Sequence, residues 1–136
     1  MPDEKTLKRA RADLRSGKSA STAAGEFVRE EMDHIREGKH GARSAKQAIA
    51  IGLSKARRSG VPLAPPAAGS TSRAARRSAS RDYATGQGRR KPRRGSRKRS
   101  RATSRALKRE PRASASKRAL SKQARAAARR RRMRKS

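Results

Sequence analysis

Beyond Gly60, 76 residues of this chain carry 27 basic side chains and only two acidic ones, Asp82 and Glu110. No other feature restricts the fold as strongly. A segment with a net charge of +25 repels itself at every separation shorter than the screening length. It also has little apolar surface with which to offset the entropy of ordering. Of the 42 hydrophobic residues in the chain, 26 are alanine, and ten of the 16 larger ones precede Gly60. Residues 1–60 carry 14 basic and eight acidic side chains, a far milder excess. The expectation is therefore an all-α protein: a small module of three short helices over residues 1–60, a Pro/Ala/Gly linker over 61–69, and a largely disordered polycationic tail over 70–136. At 136 residues and 1% aromatic content, a globular enzyme is not expected.

The three helices follow from periodicity and caps. The first spans about Asp3 to Arg15, with acidic residues at its positive end, Leu7, Ala10 and Leu14 on one face, and Gly17 as its stop. The second spans about Thr22 to Glu37. Val28, Met32 and Ile35 share a stripe with Ala24, Phe27 lies at its edge, and Gly38 closes it. Its remaining surface holds Glu26, Glu30, Glu31, Asp33 and Glu37, which could pair with the tail when no polyanion is bound. The third helix opens with a capping box, Ser44 and Gln47, and ends at Gly60, Val61 and Pro62. Gly52, in a stripe of small residues, predicts the close approach of another helix.

Function follows from charge. Zero cysteines exclude disulfides and thiol chemistry; Glu30, His34 and Glu37 share a helix face, but without a metal-site motif their spacing reads as a surface salt bridge, and no metal or cofactor is expected. No nucleophile–base pair can be argued, so no catalytic residue is assigned. The longest near-apolar run, Ala48–Leu53, is far too short for a membrane span, and no membrane partner is expected. The partner implied is nucleic acid, bound through its phosphates with little sequence preference. Duplex DNA is favoured over single strands, because stacking platforms are absent apart from Phe27 and Tyr83.

Two groups of residues are candidate phosphate ligands. The first is the glycine-flanked loop that feeds the third helix, where Lys39, Arg43 and Lys46 would surround a helix N-terminus, with His40 as a weaker donor. The second is the tail: Arg89, Arg90, Lys91, Arg93, Arg94, Arg97, Lys98, Arg99 and Arg101, then Arg129, Arg130, Arg131 and Arg132. The Ala/Arg-rich stretch from Ser114 to Lys135 favours a helix once phosphates neutralise it. The tail shows echoes of Ser/Ala/Arg composition without a fixed-period repeat. The helical module is available for self-association or a protein partner.

The stretch Glu37-Gly38-Lys39-His40-Gly41-Ala42-Arg43, followed by Ser44-Ala45-Lys46-Gln47-Ala48-Ile49-Ala50-Ile51-Gly52-Leu53 and closed by Ser59-Gly60-Val61, resembles a bacterial domain of unknown function. That domain occurs in small basic proteins, some described as DNA-binding or plasmid-stabilisation proteins. The resemblance covers roughly residues 1–63 and implies a bacterial, cytoplasmic protein, but carries no site residues with it. The tail is similar in composition to the Lys/Arg/Ala-rich tails of bacterial linker-histone-like proteins. Together these point to a nucleoid-associated protein. A ribosome-associated RNA-binding protein, and an adaptor localised by its basic tail, are the alternatives.

Overall fold

The computed structural model describes residues 2–91 and 96–135. Among these residues the chain is all-helical: α1 (Glu4–Arg15), α2 (Ala20–Arg36), α3 (Ala45–Arg58), α4 (Arg73–Gly86), α5 (Arg97–Arg109) and α6 (Lys117–Lys135), with a 3-10 turn at Arg112–Ala115 between the last two. The chain forms two compact units, residues 1–31 with 50–94 and residues 32–49 with 95–136, so each takes chain from both sides of Gly60.

In the first unit, α1, the start of α2 and the body of α3 meet around Phe27. The ring is fully buried among Ala10, Ala23, Ala24, Ala56 and Val61, with Leu7, Leu14, Leu53 and Leu63 packed against the cluster. A core built so largely of alanine requires the backbones to come close. At Gly52 they do: a Cβ there would lie 2.7 Å from the Val28 Cα, where only glycine fits. Gly17 and Gly60 end their helices at φ 83° and 101°, in the left-handed region. Val61 follows as a buried contact, 3% exposed, and its N–H donates to the Ala56 carbonyl.

The acids of α2 turn inward more than the sequence suggests. Glu31 is fully buried and paired with Lys55 of α3. Glu30, also buried, accepts hydrogen bonds from the Asp3 N–H and the Thr6 hydroxyl, and so caps α1 from a neighbouring helix. An inter-helix cap is needed there because the Asp3 side chain makes no capping bond of its own. In the second unit, Glu37 pairs with Lys39 at 3.4 Å.

The expectation of a disordered tail differs from what is observed, since helices occupy most of residues 73–135. Alanine and arginine are strong helix formers, and each of α4, α5 and α6 begins at a serine. The hydroxyls of Ser72, Ser96 and Ser116 accept from the N–H groups of Ala75, Arg99 and Ala119. Local propensity and capping are thus sufficient to specify these helices even where burial is slight. No side chain of α5 is buried.

Candidate nucleic-acid interface

The loop before α3 is built differently from an open phosphate cradle. Two of its amides already have partners elsewhere in the second unit: the Gly41 N–H donates to the Leu107 carbonyl at 2.7 Å and the Ala42 N–H to the Pro111 carbonyl at 3.1 Å. The Arg43 N–H donates to Gln47 Oε1 at 2.6 Å, while the Gln47 N–H donates to the Ser44 hydroxyl at 3.1 Å, the expected capping box closed one residue early. Gly41 is glycine because its Cα faces the Glu110 carbonyl, leaving no room for a Cβ. His40 is half-buried, its Nδ1 2.8 Å from the Gly41 carbonyl and its ring edge-on to His34 at 6.3 Å. What the loop offers an anion is its exposed side chains: Arg43, Lys46 and, beside Glu37, Lys39.

Further contacts tie this loop region to the tail. Both Nε and Nη2 of Arg36, at the end of α2, donate to the Ala115 carbonyl, at 3.2 and 3.0 Å. Ser114 and Ala115 are buried in consequence, and the 3-10 turn packs on α6. The signal for this docking was weak in the sequence: two small residues between the cationic runs.

The tail cations fall on defined helix faces. On α5, Arg97, Arg101, Arg105 and Lys108 are exposed and recur every three or four residues, which confines them to an arc of about 80°. Lys98, also exposed, borders that stripe beside Arg105, while exposed Arg99 turns to the other side of the helix. On α6, Arg118, Lys122, Arg125, Arg129 and Arg132 form a second exposed stripe at the same spacing, while Arg130 and Arg131 project elsewhere. Arg89, Arg90 and Lys91 are exposed after the end of α4, and Arg93 and Arg94 lie outside the described residues.

Sequence reasoning missed α4. Arg73, Arg77 and Arg81 lie at four-residue spacing on one exposed face, and with Arg76 and Ser80 they line a shallow open groove. A signal was present: Ser72-Arg73, Arg77 and Ser80-Arg81 recur as Ser96-Arg97, Arg101 and Ser104-Arg105. The pattern is a capping serine followed by arginines one, five and nine positions on, and it reads as low complexity until it is placed on a helix.

Arg57 behaves differently from these exposed cations. It is 7% exposed, and its Nε and Nη2 donate to the Leu63 and Ala64 carbonyls, each at 3.2 Å. Burial lowers its pKa below the ordinary guanidinium value, an effect opposed by the charge of Asp82. Its work is structural: it holds the proline-containing linker against α3. Among the described residues, no helix is long and apolar enough to cross a membrane. Comparison with models of known protein families, with curated proteins and with solved structures finds no match to this chain.

Proposed function

We propose that this chain is a non-enzymatic protein that binds duplex DNA through its phosphate backbone, with little sequence preference, as nucleoid-associated and histone-like proteins do. The observation that carries this reading is the set of exposed one-face cation stripes on α5 and α6, with no exposed acid among or beside them on those helices. Each phosphate neutralised by such a stripe releases a condensed counterion, which drives binding without reading a base. An anionic membrane surface fits less well. An interfacial helix needs a large apolar face, and Met133 is the one large hydrophobic residue exposed among the described residues.

Ordering of the tail belongs to the same reading. Because α5 buries no side chain, its helicity depends on local propensity working against charge repulsion. Phosphates remove that repulsion, so the helix content of the tail and its binding are coupled. The test is a salt titration of full-length protein against duplex DNA, structured RNA and anionic vesicles. With on the order of ten phosphates engaged, log K for duplex is expected to fall against log salt with a slope of about −9. Salt-insensitive binding, or clear preference for structured RNA or vesicles, would overturn the assignment.

A further inference from the structure

Unlike α5, α4 is docked on one side. Ala79 is 6% exposed, and Gly86 sits so tightly against the Arg57 carbonyl that a Cβ there would collide with it. Asp82, the one acid on α4, accepts from the Ser54 hydroxyl at 2.7 Å and lies 3.9 Å from Arg58 Nε, both on α3. Just past the helix end, Gln87 Nε2 donates to the Gly60 carbonyl at 3.3 Å. Half-buried Arg76 reaches back to the Pro66 carbonyl at 3.4 Å. These contacts fix the rotation of the helix within its unit.

With that rotation fixed, Arg73, Arg77 and Arg81 all emerge on the opposite side, within an arc of about 80° and over about 12 Å of helix axis. The Ser78 hydroxyl accepts from Arg81 Nη2 at 3.2 Å, and the guanidinium keeps its other donors. The helix's single carboxylate is spent on the docked side, so nothing on α4 neutralises the arginine face.

We infer that α4 is a pre-positioned strip for the phosphates of one duplex strand, with Arg73, Arg77 and Arg81 taking neighbouring phosphates from a fixed platform rather than as part of a mobile polycation. This rests on the proposed binding of duplex DNA. Charge complementarity selects the occupant: three guanidinium forks with no carboxylate of α4 beside them, at about 6 Å intervals of helix rise, suit a chain of regularly spaced anions. A pre-ordered strip loses less conformational entropy on binding than a tail that must first fold.

The test compares two full-length variants that each lose three positive charges. One is R73Q/R77Q/R81Q; the other, K5Q/R9Q/R11Q, removes exposed cations of α1 that belong to neither group of candidate phosphate ligands. By fluorescence anisotropy on duplex DNA, the α4 variant is expected to lose on the order of a hundredfold in affinity at 0.1 M salt, with a salt slope flatter by about 2.7. The α1 variant should lose about tenfold or less. A third variant, G86V, keeps every charge but drives α4 off the Arg57 carbonyl, and should also weaken binding. If G86V fails to fold by circular dichroism, S54A/Q87A, which removes the docking hydrogen bonds to Asp82 and to the Gly60 carbonyl without changing any charge, takes its place and should weaken binding in the same direction. Equal losses from the two triple variants, or full affinity in the undocking variant, would overturn the strip while leaving duplex binding in place. Absence of salt-dependent duplex binding by the wild-type protein would instead overturn the functional proposal itself.

Discussion

At the residue scale, glycine carries much of what is specific in this fold, for two opposite reasons. Gly52 is a packing residue: Val28 Cα and N would lie 2.7 and 2.9 Å from any Cβ, so helix α2 can approach α3 only there. Gly25, also helical, has nothing within 4 Å of an added Cβ. We therefore expect Gly52→Ala to cost about 1–3 kcal/mol. Gly25→Ala should be stabilising by up to about 1 kcal/mol, since it removes a flexible residue from an open helix face. Thermal unfolding of the two variants side by side checks both signs, and equal effects would mean that the α2–α3 approach is not close. Gly52 was legible in the sequence as a gap in an apolar stripe. Gly41 and Gly86 were not, because what excludes their side chains is the backbone at Glu110 and Arg57, positions 69 and 29 residues away in sequence.

At the scale of the element, α1 to α3 could be read almost to the residue, because amphipathic spacing and terminal signals agree. Observed bounds differ from the expected ones by two residues at most, within the ambiguity of any helix end. The tail helices are less legible: charge repulsion argues against them, while the serine caps at Ser72, Ser96 and Ser116 argue for them. Removing a cap should reveal how much each helix depends on it. Ser96→Ala is expected to cost α5 about 1 kcal/mol, enough to melt a helix without burial, and far-ultraviolet circular dichroism at low salt would show the loss. Ser72→Ala should change the spectrum less, since Ala79, Asp82 and Gly86 also hold α4 in place. Equal losses would mean that α4 gains nothing from its docking.

At the scale of the whole molecule, the balance between repulsion and helix propensity should be visible in salt. Lengthening the screening distance from about 3 Å at 1 M to about 30 Å at 0.01 M strengthens repulsion along α5 and α6. Helix content is therefore expected to fall as salt is lowered and to recover when duplex DNA is added. A salt-independent spectrum would place the stability of these helices in packing instead. The sequence by itself determined the helical class, the three N-terminal helices with their stops, and the cationic excess, because these depend on local spacing and on charge summed along the chain. It also marked Arg43, Lys46 and, among the described residues, the candidate tail arginines from Arg89 to Arg132 as exposed cations, since nothing near them in the chain could bury them. Tertiary structure alone decided that the Gly41 and Ala42 amides before α3 are already occupied, that Arg57 is buried while its neighbour Arg58 is exposed, and that the face of α4 opposite its three arginines is the one that docks. Those outcomes depend on which distant backbone carbonyl meets which donor, and a one-dimensional pattern of residue types does not encode such a meeting.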